Sequence, residues 1–313
     1  MASNCIIMSD STCDFSAEMA SRLNVVILPF HYVEAGKPDG GLSGNDDLFQ
    51  SISAHEFYDA IRQGACPMTS QPSQLEYEEA FEKVHATGTP AILFTITSGL
   101  SGGYEGAVMA LQRFKETHVG ENVDIRVVDT SVTSTPMTLF VEQACLLRDE
   151  GKTADQIYEW ALEARWHLQT LFMVDNLNAL HRGGRIPKSV AVIGDALDVK
   201  PMLRFNLDGT LAICGVARGR HKGLKKLASY FQKNADLNTY GHVVAIGDAD
   251  SPADGYAVAS SLLADDPELR VLRPTIGPTI GSHVGPGMVS CCFWGEDRRN
   301  AKQGGKVRGV REE

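Results

Sequence analysis

Two hydroxyl-bearing turns and one glycine-rich histidine segment carry most of the chemistry open to this chain. The first is Ser98-Gly99-Leu100-Ser101-Gly102-Gly103, which follows the apolar run Ala91–Thr97 and precedes a helix-forming segment. In an open α/β sheet a strand–turn–helix junction lies at the carboxyl edge of the strands, where ligands bind. Glycines there let the backbone approach a ligand, and the free N–H groups of the first helical turn face any anion. The second cluster is Thr69-Ser70 with Ser73, whose ordinary reading is turn and helix-cap chemistry. The third is Ile280–Met288, IGSHVGPGM, with a single His283 among glycines and proline. Such a histidine is ordinarily a turn residue; its functional reading is a donor that steadies a carboxylate or a group that receives a proton.

Read literally, Gly99-Leu100-Ser101-Gly102-Gly103 is G-x-S-x-G, the nucleophile elbow of α/β-hydrolases. Asp248 or Asp250 and then His283 follow in the order Ser…Asp…His, so a serine hydrolase using Ser101 and His283 is the enzymatic alternative. Against it, the motif is short and rich in small residues, and no HGGG-type oxyanion segment accompanies it. A nucleotide is disfavoured too: the turn has no lysine, no G-x-x-x-x-G-K-[ST] and no G-x-G-x-x-G spacing. A single carboxylate held by hydroxyls and backbone amides demands much less. Basic residues gather at Arg182-Gly183-Gly184-Arg185 and along Arg218–Lys226, either as a solvated face or as a docking site for a phosphate-bearing partner.

The bulk of the chain narrows the field. Its 313 residues exceed one ordinary core and suggest two domains. A hydrophobic content of 43% with 22% charged residues describes a soluble globular protein, and the apolar runs are strand-length. No secretory signal is evident at the start, so a cytoplasmic location is expected. A net charge of −10 argues against nucleic acid as the main partner. Seven cysteines without CxxC spacing read as buried, reduced thiols, with no metal site.

The elements that must position these clusters alternate strand and helix through the first half, which implies a parallel, helix-covered sheet. Strands are expected at Cys5–Asp10, Val25–Val33, Ala91–Thr97 and Val123–Asp129. Helices are expected after Ser16, over His55–Gln63, Gln74–Ala86, from the first turn to about Thr117, and over Pro136–Glu150 and Ala154–His167. Ser73 with Glu76, and Thr153 with Gln156, have capping-box spacing. Gly36–Ser53 and Pro67–Ser73 read as loops. After about Gln169 the rhythm changes. Leu171–Asp175 is strand-like, Leu177–Leu180 and Pro187–Leu197 are helical, and Asp208-Gly209 sits between two strand runs as a hairpin signal. A basic helix, Lys222–Asn234, precedes strands at His242–Gly247, Leu269–Leu272 and Met288–Trp294, with a helix from Ser251-Pro252 between. A mixed sheet in a second domain follows. The boundaries expected are 1–168, 169–296 and a disordered basic tail at 297–313.

Several further pieces recur in one order from about Ile6 to Trp294. They are Ser9-Asp10-Ser11-Thr12, Phe57-Tyr58, Thr69-Ser70-Gln71-Pro72-Ser73, Ser98-Gly99-Leu100-Ser101-Gly102-x-Tyr104 and Val128-Asp129-Thr130. Gly183-Gly184-Arg185-Ile186, Lys200-Pro201 and Gly281-x-His283-x-Gly285-Pro286-Gly287 complete the set. Together they resemble the DegV family of bacterial fatty-acid-binding proteins. The resemblance implies a two-lobed α/β fold with a Rossmann-like N-terminal lobe, a mixed C-terminal lobe and a long-chain fatty acid in a tunnel between them. It implies that Thr69 and Ser101 hold the carboxylate, with Ser70, Gly102 and His283 beside it. It also implies a carrier rather than a catalyst, without a cofactor, which in some members presents its acid to an ATP-dependent kinase that forms an acyl phosphate. Transient membrane contact would serve lipid exchange, and Arg185 and Arg218 would face the kinase. A third possibility is a protein whose lipid is structural and whose role is interaction with another protein. Departures from the pattern are Gly103 where the family usually has Thr, Ser9 for a common Thr, a longer Gly41–Ser53 segment and the Lys/Arg tail.

Overall fold

The computed structural model describes residues 4–34, 36–37, 41–187 and 198–300. In the first half, β1 (Ile6–Asp10), β2 (Val25–Leu28), β6 (Ala91–Thr95) and β7 (Ile125–Asp129) form a parallel sheet in the order β2-β1-β6-β7. Helices α3 (Gln74–His85) and α4 (Gly103–Thr117) cover one face, packing Tyr77, Phe81 and Phe114 on Leu93 and Val127. The other face receives α1 (Ala17–Arg22), α5 (Thr135–Asp149) and α6 (Ala154–Ala164), with Phe140 stacked on Trp160 and edge-on to Phe94. Both capping boxes form, at Ser73–Glu76 before α3 and Thr153–Gln156 before α6. Each satisfies amide donors that a helix start otherwise leaves open.

The second sheet is mixed, as the hairpin signal implies. It runs β10 (Leu211–Arg218), β9 (Val199–Phe205), β8 (Leu168–Met173), β13 (Val289–Trp294), β11 (Val243–Asp248), β12 (Arg270–Leu272), with only β11 and β12 parallel. Helices α8 (Arg220–Asn234) and α9 (Pro252–Asp265) cover its outer face, and α5 packs against its inner face. Cys291 and Cys292 are buried on opposite faces, and none of the seven cysteines is in a disulfide. No helix among the described residues is long and apolar enough to cross a membrane.

Several expectations change. The run Val25–Val33 is two strands, not one. Pro29 has no N–H to donate and ends β2, and β3 (His31–Val33) turns away to pair antiparallel with β4 (Gly44–Asn45) and β5 (Met68–Ser70). Pro67–Ser73 is therefore not wholly loop: its first part is β5, in register with β3 through Tyr32↔Thr69. Gly36–Ser53 likewise holds β4. The His283 segment is helical, as α10 (Pro278–Val284), rather than a turn. The helices α2 (Ala54–Arg62) and α7 (Asn178–Arg182) match expectation. The helix expected over Pro187–Leu197 lies outside the described residues beyond Pro187, as does the tail from residue 301. The tail's first residues are ordered, because Arg298 and Arg299 stack over Trp166 and Arg299 bridges Glu163 and Asp297.

Three buried aspartates tie the pieces together. Asp10 accepts from Thr12 N–H and, at 2.6 Å, from Ile96 N–H. Asp14 accepts from Gly277 N–H at 2.9 Å and from the Ser134 hydroxyl, and Asp46 accepts from both the N–H and hydroxyl of Thr279. None has a cation among its described hydrogen-bonding or ionic partners, so burial disfavours charge on each. It pushes Asp10 and Asp46 up to about 6 and Asp14 up to about 8. A carboxyl whose folded value is raised above its unfolded one contributes stability at low pH that is lost as pH rises through the folded value. The melting temperature should therefore fall between pH 5 and pH 8.5, and Asp14→Asn should flatten that slope. Thermal unfolding across this range checks it, and an equal slope in the variant would refute the assignment.

Candidate functional site

The turn after β6 is held from two sides. Ser98 Oγ donates to Asp129 at the end of β7, and Asp10 grips Ile96 from the end of β1. The hairpin turn between β9 and β10 lies directly against it: a Cβ on Gly99 would strike the Asp208 and Gly209 backbone, and one on Gly209, at φ +76°, would strike Thr97. Only glycine fits this contact on both sides. Ser101 closes the turn, its Oγ accepting from Gly103 N–H at 3.3 Å just where α4 begins.

Beside this turn Thr69, carried by β5, meets His283, carried by α10. Thr69 Oγ1 and His283 Nε2 are 2.8 Å apart, joining residues 214 positions apart in sequence. The three side chains line one cleft of about 710 Å³, counting its open mouth, together with Gln71, Leu100 and Arg185. Behind them the wall is apolar, built from Phe30, Ile96, Phe172, Phe205, Ile280 and Met288. Phe30, Ile96, Phe172, Ile280 and Met288 belong to one core cluster, with Tyr32 of β3 and Leu203 of β9. The arrangement is a few convergent polar groups in a largely apolar cleft, the usual form of a small-ligand site.

Burial, reinforced by the positive charge of Arg185 and Arg182, pushes His283 down to about 4. The imidazole is therefore neutral at pH 7. Its Nδ1 has no hydrogen-bond partner among the described residues and faces Gly183, where a Cβ would collide with it. The glycine at 183 is thus a packing requirement of this ring.

Other expected site residues fall elsewhere. Ser70 follows Thr69 on β5, so its side chain leaves by the opposite face and is exposed. Gly102 is exposed, packed under the Gln71 side chain and outside the cleft lining. Arg185, expected at a partner surface, is half-buried in the lining, with Nε donating to the Leu100 carbonyl at 3.1 Å. Arg218 is exposed at the end of β10. Its neighbour Arg220 is committed to Asp175, Asp254 and the Gly287 carbonyl, so that basic run is not a uniform free surface. Gln71 and the buried hydroxyls Thr133, Thr135, Thr170 and Ser290 are lining residues that the sequence reading missed.

The Ser–Asp–His order is not assembled. Asp248 pairs with Arg273 and the Ser251 N–H, and Asp250 pairs with Arg62 and His55. His283 spends Nε2 on Thr69, not on Ser101. The depressed basicity of this ring is measurable. Its carbon-bound protons should show no titration between pH 8 and pH 5 by NMR, whereas a midpoint near 6.5 would mean the ring is open to solvent or paired with a carboxylate.

The chain's relatives agree with this architecture. A family model described as "Uncharacterised protein, DegV family COG1307" matches residues 4–296. A DegV domain-containing protein of Clostridium perfringens is 31% identical over 300 residues, covering 94% of this chain and 98% of its own. A Thermus thermophilus structure described as fatty acid binding of a DegV family protein superposes with a TM-score of 0.78 at 25% identity, covering 93% and 99% of the two chains. The Streptococcus pneumoniae Fatty Acid Kinase B3 protein, loaded with linoleic acid, has the same fold, with a TM-score of 0.78 at 19% identity over 93% and 99%. The match spans every residue that lines the cleft, and the chain belongs to the DegV family.

Proposed function

We propose that this chain binds a long-chain fatty acid, with the carboxylate at Thr69, Ser101 and His283 and the acyl chain along the apolar wall. The observation that carries this reading is the Thr69–His283 hydrogen bond set beside Ser101 at the rim of an apolar slot. With a neutral His283 donating from Nε2, Thr69 keeps its own hydroxyl proton to give to a carboxylate. Ser101 accepts from Gly103 N–H and likewise keeps its proton. Two neutral donors and the nearby Arg185 guanidinium can satisfy an anion that would otherwise pay several kcal/mol on burial. The acyl chain supplies the affinity: about 14 methylenes at about 0.8 kcal/mol each give roughly 11 kcal/mol before ordering costs. The Thermus thermophilus relative, described as binding fatty acid, supports the ligand class.

On this reading the protein has no catalytic residue and needs no cofactor. It carries or presents the acid from the cytoplasm, exchanging it in transient contact with a membrane. Its two lobes, 1–168 and 169–296, form the two walls. Presentation to an ATP-dependent fatty-acid kinase is the extension of this role, with Arg218 as a docking contact and Arg185 at the rim where head group and partner would meet. The pneumococcal neighbour, named a Fatty Acid Kinase B3 protein and loaded with linoleic acid, is the comparison that motivates this extension.

Mass spectrometry of an organic extract of the purified protein should find a long-chain fatty acid near one equivalent. Extracts without fatty acid, together with no binding of added palmitate or oleate, would reject the function. Thr69→Ala combined with Ser101→Ala removes both donors, and should weaken palmitate binding by roughly ten- to a hundredfold. Titration calorimetry on a variant with unchanged circular dichroism measures this; an unaltered affinity would reject the head-group assignment.

A further inference from the structure

The cleft has a second polar set at its closed end. Exposure separates the two: Thr69, Gln71, Ser101, Arg185 and His283 are partly open, whereas Thr133, Ser134, Thr135, Thr170 and Ser290 are buried. These five come from the turn between β7 and α5, from the first residue of α5, and from β8 and β13. None of the elements at the mouth contributes to them.

Three of these hydroxyls are paired: Ser290 Oγ donates to Thr135 Oγ1 at 2.8 Å, and Ser134 donates to Asp14. Thr133 and Thr170, each 5% exposed, line the cleft with an Oγ1 that has no hydrogen-bond partner among the described residues. Thr170 stands opposite Cys292 in the β8–β13 ladder, whereas Thr133 lies in the irregular turn before α5. The methyl end of a plain fatty acid offers nothing to this hydroxyl, and an apolar side chain would suit such a chain better. Thr133 also stands just before the 15-residue helix α5, whose first-turn amides add a partial positive charge at the same end.

We propose that the closed end receives an oxygen carried on the buried part of the acyl chain, so that the preferred ligand is a fatty acid with a distal hydroxyl or oxo group. Thr133 donates to or accepts from that oxygen. The inference rests on the fatty-acid reading of the same cleft and refines its ligand class.

The test uses full-length protein stripped of lipid, titrated calorimetrically with palmitate, stearate, 16-hydroxypalmitate, 10-hydroxystearate and 2-hydroxypalmitate. At least one distal hydroxy acid should bind about five- to tenfold more tightly than its parent, with 2-hydroxypalmitate gaining nothing. Thr133→Val should abolish that preference and Thr133→Ser should retain it, each with a melting temperature close to the parent protein. The inference is overturned if no distal hydroxy acid exceeds its parent, or if the preference survives Thr133→Val. Palmitate binding without any preference sinks this inference alone, whereas binding of none of the five acids sinks the carrier reading with it.

Discussion

The grip of Asp14 and Asp46 on the start of α10 is the constraint on which the site depends. Gly277 N–H and Thr279 N–H are donors at a helix start that would otherwise be buried unpaired. The carboxyls that satisfy them come from the turn after β1 and from the segment around β4, each more than 230 positions away in the chain. Asp10, at the end of β1, holds Ile96 just before the Ser101 turn. One end of the parallel sheet thus fixes both the serine turn and the helix bearing His283. The cost is a set of carboxyls kept from water without counter-ions.

The cleft divides its labour by chemistry. Apolar wall supplies binding free energy without direction, and the rim supplies direction with short donors. A lysine buried at the rim would hold a carboxylate tightly and be costly to leave unpaired. In the proposed carboxylate site, hydroxyls and a neutral imidazole orient the acid, and the Arg185 guanidinium beside them is already bonded to the Leu100 and Gly183 carbonyls, which lessens the penalty when the acid departs. Such a rim suits the proposed carrier, which must release its cargo as well as bind it.

Much of this was legible in the sequence because it is written locally. The parallel strands show as apolar runs, Ser73 and Thr153 announce helix starts, and Asp208-Gly209 announces the hairpin. What stayed hidden depends on distant partners. The strand β5 is three residues long and exists through its pairing with β3. The helix α10 has glycines at 277, 281 and 285 that obscure a helical pattern, and its start is secured by Asp14 and Asp46. Arg185 reads as a surface cation until Leu100 is seen to accept its hydrogen bond. Of the three aspartates only Asp10 lies in the Ser9-Asp10-Ser11-Thr12 motif, where an acidic residue beside an apolar strand was the available signal; Asp14 and Asp46 carried none. The triad order dissolved for the same reason, since sequence order says nothing about which carboxylate an arginine has already claimed.

The pairing of Thr69 with His283 across most of the chain has a thermodynamic consequence. A ligand that touches β5, the β6–α4 turn and α10 at once recognises nothing in the unfolded chain. Its binding therefore adds directly to folding stability, growing with the logarithm of free ligand over dissociation constant. On the proposed function the loaded molecule is the more durable one and the empty molecule the one that opens more often to proteases, so supply of ligand bears on how long the protein lasts as well as on its occupancy.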